Sequence, residues 1–357
     1  MNGVYLKGSA QPLAQAYSLA LLDLDGVVYR GSNPVEHAAE GIAQASAAGM
    51  RMAYTTNNPS RYPSVVADQL RSFGLELDDQ QVITSGIVGA RMLREHLEAG
   101  SKVLVIGSDH LRDEVRANGM QVVESNKDRP QAVIQSWYPD LTLKDLAEAS
   151  YAIEHGAQYF VTNKDLTIPR EDGIAPGNGA MQLPVIAASG QEPQDSAGKP
   201  EPAIYDEARR RLAQDEPISK ADSLPVGDRL DTDIEAAYKG GYDSMVVLTG
   251  VADPTALMQA KVQWRPTYIA LDLRGLVQPH PQPVLAPNGR WVCGSCSAQL
   301  ENGQVSLSAH DGQGSDLDPK RQIDALRAAV CACWQAADGG LDLSEIQLPS
   351  FRLGSAQ

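Results

Sequence analysis

The sequence predicts an α/β fold: a doubly wound parallel-sheet core, an inserted α/β cap domain and a small α+β C-terminal appendage. Apolar runs that end in acidic or small residues, such as Ser18–Val28, are typical of buried parallel strands. Helical patterns alternate with these runs, as in β-α-β units. Four prolines within Gln278–Pro287 indicate a linker before the last part of the chain.

The first elements alternate regularly. The strand in Ser18–Val28 is followed by a helix over about Val35–Ala48, which Gly49 ends. A second strand, Arg51–Thr56, precedes a helix over about Tyr62–Phe73. This β-α-β-α order predicts the beginning of a doubly wound sheet.

The same alternation continues to about residue 250. A block with its own helices and strands comes first, with helices over about Ile87–Glu98, Leu111–Asn118 and Leu143–His155, and strands at Lys102–Ile106, Ala132–Gln135 and Gln158–Thr162. The core pattern then returns in helix Pro202–Gln214, strand Ser223–Val226, helix Thr232–Lys239 and strand Asp243–Leu248. The middle block has too much regular structure for a loop, so we expect an inserted domain.

These patterns predict four parts of the chain. The core comprises residues 1–85 and 183–277, the cap 86–182, the Pro-rich linker 278–287 and the appendage 288–357. A β-hairpin within Gly289–Ser308 and an amphipathic helix over about Gln322–Ala337 are expected in the appendage.

Composition excludes several classes of partner. The formal charge of −15 argues against nucleic acid or an anionic membrane as the main partner. No segment approaches the roughly 18 apolar residues of a membrane span. The beginning of the chain lacks the apolar region of a signal peptide, so we expect a cytoplasmic protein.

All four cysteines lie in the predicted appendage, at Cys293, Cys296, Cys331 and Cys333. Their spacing leaves a structural zinc site and half-buried thiols in a small core open as alternatives.

Two pairs of aspartates follow predicted strands. Asp23 and Asp25 are at i and i+2, so their carboxylates point the same way, which is costly unless a cation joins them or one is protonated. A common Asp-Gly turn is the alternative. Asp228 follows the strand at Ser223–Val226, and Asp233 begins the next helix, where it is a metal-site candidate or an ordinary cap.

Two further segments are candidates for binding an anion. Thr56 and Asn57 lie at the end of a strand, where a hydroxyl and backbone N–H groups can surround a phosphate, and an N-cap box is the alternative. Lys199 precedes Pro200 at a helix entrance, although most lysines are solvated surface residues.

Taken together in this order, the four segments resemble the motifs of the haloacid dehalogenase (HAD) superfamily, which has a Rossmann-like core. The matching segments are Asp23-Leu24-Asp25-Gly26-Val27, Thr56-Asn57-Asn58, Gly198-Lys199-Pro200, and Gly227-Asp228 with Asp233. Thr162–Asp165 and Pro176–Gly179 look like the NagD-type branch, which carries a large α/β cap between the second and third motifs. That branch often has Pro where Lys164 stands.

The resemblance implies a phosphatase mechanism. Asp23 is expected to be the nucleophile that forms an aspartyl-phosphate, and Asp25 the general acid and base. Mg²⁺ is expected to bind Asp23, the backbone carbonyl of Asp25 and Asp228, with Asp233 orienting water or Lys199. The remaining expected roles are phosphoryl binding by Thr56, Asn57 and Lys199, and substrate contacts in the cap from Asn163, Lys164 and Asp165.

A small phosphorylated metabolite is the expected partner, and a homodimer is left open. Similar actinobacterial phosphatases carry a C-terminal piece likened to an acetyltransferase (GNAT) fragment, and the appendage resembles it, which favours glycerol 3-phosphate as substrate. Phosphoglycolate, pyridoxal phosphate and nucleotide monophosphates are the alternatives. A regulatory or scaffold protein on a HAD core is the alternative from another class.

Overall fold

The computed structural model describes residues 4–170, 173–213, 216–309 and 319–353. The strands are β1 Leu19–Asp23, β2 Tyr29–Arg30, β3 Asn33–Pro34, β4 Arg51–Thr56, β5 Val82–Thr84, β6 Lys102–Ile106, β7 Gln121–Val123, β8 Ala132–Gln135, β9 Gln158–Val161, β10 Thr167–Arg170, β11 Gly173–Pro176, β12 Asp195–Ser196, β13 Ser223–Gly227, β14 Met245–Val247, β15 Tyr268–Ala270, β16 Val284–Leu285, β17 Trp291–Cys293, β18 Cys296–Glu301 and β19 Gln304–Ala309.

The α-helices are α1 Leu13–Ala16, α2 Ala38–Ala47, α3 Pro63–Ser72, α4 Ser85–His96, α5 Asp109–Ala117, α6 Leu143–Glu154, α7 Asn178–Ser189, α8 Ala203–Leu212, α9 Glu235–Gly240, α10 Pro254–Met258 and α11 Pro319–Asp338. In the part of the chain that the structure describes, none of the helices is long and apolar enough to cross a membrane.

The chain forms two compact units. One consists of Met1–Met52 together with Ile218–Gln357, and the other of Ala53–Pro217. We call them unit 1 and unit 2. Their limits differ from those of the predicted core, cap and appendage, and the predicted division stays a prediction.

Unit 1 contains four parallel strands in the order β15-β14-β13-β1. Leu19, Leu21 and Leu22 of β1 are fully buried, as expected for a central parallel strand covered on both faces. Because β1 and β13 run in parallel, Asp23 and Gly227 lie at the same edge of the sheet. The predicted α/β class with a parallel-sheet core is confirmed.

Two helices of unit 1 differ from the prediction. Helix α2 begins at Ala38, later than expected, because His37 has a left-handed backbone with φ of 63°. The predicted helix Thr232–Lys239 is a π-helical turn, Leu230–Ile234, followed by the short helix α9. This wide turn carries Asp233, whose carboxylate accepts a hydrogen bond from the backbone N–H of Arg229 at 3.1 Å.

The C-terminal elements share a hydrophobic core with the parallel strands of unit 1. Strands β16 to β19 form an antiparallel sheet, on which α11 packs. The indole N–H of Trp334 donates to the carbonyl of Leu257 at 2.9 Å. The predicted linker contains β16, and the backbone N–H of its buried His280 donates to the carbonyl of Ser9. The Pro-rich segment therefore packs within unit 1 at the buried residues His280 and Pro283, whereas half of its residues are exposed.

The four cysteines are buried free thiols. Burial raises the pKa of the thiols of Cys293 and Cys333 to about 12, so both are protonated at neutral pH. Among the described residues, the only cluster of three or more potential metal-ligating side chains is an aspartate cluster elsewhere in unit 1. The structure therefore favours buried thiols over a zinc site.

Unit 2 contains a five-stranded parallel sheet in the order β12-β9-β8-β6-β7, and a parallel pair formed by β4 and β5. The predicted strands β6 and β8 have the expected limits. The antiparallel pair β10–β11 and helix α7 were not predicted, because this stretch is rich in Gly and Pro and has no clear apolar period.

Candidate active site

Three carboxylates come together at the carboxyl ends of β1 and β13. Asp23 is the last residue of β1, Asp228 follows β13, and Asp233 lies in the π-helical turn. One oxygen of each lies within 4.8 Å of the other two. Like charges this close are destabilising unless a cation or a proton lies between them. An all-oxygen ligand set of carboxylates fits Mg²⁺, which prefers hard oxygen ligands.

Asp25 lies beyond the end of β1, and its carboxylate is not one of the three. Its side chain is exposed, whereas Asp228 and Asp233 are only 2 % and 1 % exposed. Gly26 follows with φ of +79°, a turn conformation that glycine adopts without strain. An exposed carboxylate two residues from Asp23 is suited to exchange a proton with a reacting group or with water.

The segment after β14 packs around Asp228. These contacts were not predicted from the sequence. The N–H of Val251 donates to Oδ2 of Asp228 at 2.7 Å, and the hydroxyl of Thr249 donates to the carbonyl of Gly26 at 2.6 Å. A Cβ atom on Gly250 or on Gly26 would overlap the carboxylate of Asp228. A glycine shortly after an apolar strand, as at Gly250, was the available sequence signal.

Gly250→Ala is expected to displace the carboxylate of Asp228, because the added methyl group occupies the position of its Oδ2. We expect the concentration of Mg²⁺ that gives half-maximal activity to rise at least about tenfold, since a ligand misplaced by about 1 Å costs on that order. A magnesium titration of activity measures it. Gly86→Ala, whose Cβ would have its nearest neighbour at 3.3 Å, is the control. Equal magnesium dependence in both variants would contradict the role of Gly250.

In unit 2, Thr56 and Lys199 have the surroundings expected of binding residues. Thr56 ends β4, and its Oγ1 accepts the N–H of Asn58 at 3.1 Å, so its hydroxyl proton can be donated elsewhere. Lys199 is only 2 % exposed. The alternative of an ordinary surface lysine is therefore excluded.

The side chain of Asn57 makes hydrogen bonds within unit 2. Its Nδ2 lies 2.9 Å from the carbonyl oxygen of Lys199 and 3.1 and 3.2 Å from the two carboxylate oxygens of Asp165. Its Oδ1 accepts the N–H of Lys199 at 2.8 Å. The side-chain amide of Asn57 is hydrogen-bonded to these groups. We therefore expect Asn57 to contact phosphate through its backbone N–H.

The three residues predicted to contact substrate differ in their environment. Asn163 is buried, and its Nδ2 donates to the carbonyl of Asn57 at 2.8 Å. Lys164 is exposed, and Asp165 is half-buried. A Cβ atom on Gly177 or Gly179 would overlap the backbone of this segment, so these glycines allow the start of α7 to pack against it. Substrate contact by Asn163, Lys164 and Asp165 stays a prediction.

A parallel sheet with three carboxylates at its carboxyl edge is an arrangement with which α/β enzymes can bind a divalent cation. Comparison with known proteins identifies the family. Residues 20–121 match the model of the haloacid dehalogenase-like hydrolases, and residues 196–276 match a HAD-hydrolase-like model. The chain belongs to the haloacid dehalogenase-like hydrolase family.

Several relatives have an assigned activity. D-glycerol 3-phosphate phosphatase of Mycobacterium tuberculosis is 37 % identical over 331 residues, covering 91 % of this chain and 88 % of that protein. A crystal structure of the M. tuberculosis glycerol phosphate phosphatase with magnesium has a TM-score of 0.79 and 36 % identity, covering 91 % of this chain and 92 % of that one. The 5′-nucleotidase YutF of Bacillus subtilis is 32 % identical over 71 % of this chain and 99 % of its own.

Proposed function

We propose that the protein is a Mg²⁺-dependent phosphatase of small phosphate monoesters, with glycerol 3-phosphate as its substrate. The supporting observation is the extent of similarity to the M. tuberculosis enzyme. The residues before the predicted appendage make up about 80 % of the chain, whereas that similarity covers 91 % of it. It therefore includes part of the appendage. The match to the B. subtilis nucleotidase covers 71 % of this chain, which is less than the part that precedes the appendage.

The carboxylates of Asp23 and Asp228 and the backbone carbonyl of Asp25 are proposed to hold the magnesium ion. Asp233, buried beside them, orients the surrounding groups. When bound, Mg²⁺ neutralises the carboxylates and the charge of the phosphoryl group. The cluster of three aspartates is consistent with this assignment because its donors are all oxygens.

The chemistry is proposed to proceed in two displacements at phosphorus. A carboxylate oxygen of Asp23 forms a bond to phosphorus, the bond from phosphorus to the ester oxygen breaks, and Asp25 gives its proton to the leaving alkoxide. Asp25 then takes a proton from water as the water attacks the aspartyl-phosphate, which releases phosphate and regenerates Asp23. Thr56, Lys199 and the backbone N–H of Asn57 bind the phosphoryl oxygens.

A phosphate-release assay tests the proposal. We expect glycerol 3-phosphate to give a higher kcat/KM than phosphoglycolate, pyridoxal phosphate or a nucleoside monophosphate. Asp23→Asn is the control for contaminating phosphatase. A higher kcat/KM for a nucleoside monophosphate would contradict glycerol 3-phosphate as the substrate and would support the 5′-nucleotidase activity named for the B. subtilis relative. No release from any ester, p-nitrophenyl phosphate included, would support the regulatory or scaffold alternative.

Lys164→Ala is expected to change substrate selectivity, because Lys164 is an exposed cation in a segment proposed to contact the leaving group. We expect kcat/KM for the anionic phosphoglycolate to fall about tenfold, which is about 1.4 kcal/mol. The value for p-nitrophenyl phosphate is expected to change less than about threefold. Asn163→Ala is the comparison: its side chain is buried and hydrogen-bonded, so a structural role would lower all rates together, whereas the predicted substrate contact would change selectivity. Equal losses on both esters in Lys164→Ala would refute the selectivity role.

Four further expectations from the sequence accompany this proposal. The small phosphorylated metabolite is the proposed partner, in line with the activities named for the relatives. A cytoplasmic location and the homodimer that the sequence left open stay predictions. The likeness of the appendage to a GNAT fragment also stays a prediction.

A further inference from the structure

The side-chain amide of Asn57 pairs with both main-chain polar groups of Lys199, a residue 142 positions away in the sequence. We propose that Asn57 is a positioning residue that fixes the main chain of Lys199, and that Asp165 fixes the orientation of the Asn57 amide. This inference rests on the proposed function, in which Lys199 binds the phosphoryl group.

The hydrogen-bonding capacity of Asn57 is fully used in only one orientation of its amide. One N–H of Nδ2 is directed to the carbonyl of Lys199, and the other is shared between the two oxygens of Asp165. Oδ1 accepts the N–H of Lys199. A reversed amide would place Oδ1 against the carbonyl of Lys199 and the carboxylate of Asp165, so the negative charge of Asp165 selects the observed orientation.

The main chain of Asn57 is anchored as well. Its carbonyl accepts hydrogen bonds from the hydroxyl of Ser85 at 2.7 Å and from Nδ2 of Asn163 at 2.8 Å. The carbonyl of Asn163 in turn accepts the amide N–H groups of Asn178 and Gln182, each at 2.8 Å. The residue that holds Lys199 is therefore itself held by several hydrogen bonds from neighbouring segments, which restrict its movement.

Gly198, the residue before Lys199, allows the close approach of the Asn57 side chain because it has no Cβ atom. A Cβ atom on Gly198 would lie 2.7 Å from Oδ1 of Asn57 and 2.7 Å from the carbonyl oxygen of Thr162. Only glycine lets the two segments approach this closely without displacement. Asn57 also directly follows Thr56, so one short segment supplies a phosphate-binding hydroxyl and sets the backbone from which the buried Lys199 side chain extends.

A double-mutant cycle between Asn57 and Lys199 tests the inference. If Asn57 acts through Lys199, Asn57→Ala lowers kcat/KM for p-nitrophenyl phosphate by about 10²-fold in the wild-type background. In the Lys199→Ala background the same change costs less than about threefold. Equal losses in both backgrounds would overturn the inference. Asn118→Ala, which removes a side-chain hydrogen bond to the carbonyl of Glu114 elsewhere in unit 2, controls for general loss of stability.

Exchanging the hydrogen-bond donor and acceptor at positions 57 and 165 distinguishes a positioning role of Asn57 from a purely structural one. Asn57→Asp places a carboxylate oxygen against both Asp165 and the carbonyl of Lys199. Adding Asp165→Asn supplies a new donor for residue 57 but leaves the repulsion at Lys199. We therefore expect the double variant to regain melting temperature relative to Asn57→Asp without regaining kcat/KM. Recovery of both would overturn the inference.

Binding of inorganic phosphate, measured by calorimetry in the presence of Mg²⁺, separates failure of this inference from failure of the proposed function. We expect Asn57→Ala to raise the Kd of phosphate about tenfold in the wild-type background and not in the Lys199→Ala background. A wild-type protein that releases no phosphate from esters would refute the proposed function, and this titration would still decide the inference. An unchanged Kd in Asn57→Ala would overturn it.

Discussion

Asp23→Asn is expected to abolish turnover while leaving the protein folded. The amide has nearly the shape of the carboxylate but cannot form an acyl-phosphate, and loss of a nucleophile costs on the order of 10⁴-fold or more in kcat. Initial rates on glycerol 3-phosphate and p-nitrophenyl phosphate measure the loss. A residual rate above about a hundredth of the wild-type rate would contradict nucleophilic catalysis by Asp23.

The stability of this variant provides an internal check. Asp23 lies within 4.8 Å of two other carboxylates, so removing its charge relieves repulsion in the metal-free protein. We therefore expect an unchanged or higher melting temperature in EDTA. Asp231→Asn is the matched control, because Asp231 lies in the same π-helical turn but forms an exposed ion pair with Arg229 at 2.8 Å. Its activity should stay within about twofold of the wild type.

Removal of Mg²⁺ is expected to lower activity at least about 10³-fold, because the metal supplies several kcal/mol of charge stabilisation at the phosphoryl group. Rates after treatment with EDTA and after readdition of Mg²⁺ measure this effect. Asp228→Asn should cause a similar loss, since its buried carboxylate is one of the proposed ligands. Full activity in excess EDTA would refute the metal assignment and the role of Asp228.

Calcium is expected to inhibit. Ca²⁺ takes six to eight oxygen ligands and often binds carboxylates through both oxygens, which would misplace the attacking oxygen of Asp23. Competition between Ca²⁺ and Mg²⁺ in the rate assay measures the inhibition.

The elements that carry the site were predictable because their signals are local. Strand β4 has the predicted limits, and the buried run that forms β1 ends at Asp23. Parallel strands bring their carboxyl ends to one edge, which places Asp228 beside Asp23; the sequence analysis expected these two residues to share an ion only from the resemblance to a family. The assignment of chemistry to those acids came from the resemblance to a family.

Contacts between distant segments were not predictable in the same way. The amide of Asn57 pairs with a backbone 142 positions away, and no local pattern marks such a partner. The role of Gly250 depends on the close approach of Asp228, which only the fold reveals. The π-helical turn at Leu230–Ile234 was expected to be part of an ordinary helix, because the apolar spacing of the sequence does not distinguish the two.

Trapping of the aspartyl-phosphate tests the central claim most directly. The enzyme is mixed with p-nitrophenyl phosphate and Mg²⁺, the reaction is quenched, and borohydride reduces the acyl-phosphate of an aspartate to homoserine. Mass spectrometry of the peptide that contains Asp23 and Asp25 then locates the change. The account predicts homoserine at position 23 alone, dependent on both substrate and Mg²⁺ and absent from Asp23→Asn. An unmodified Asp23 in an enzyme that turns over, with reduction at another carboxylate, would contradict it.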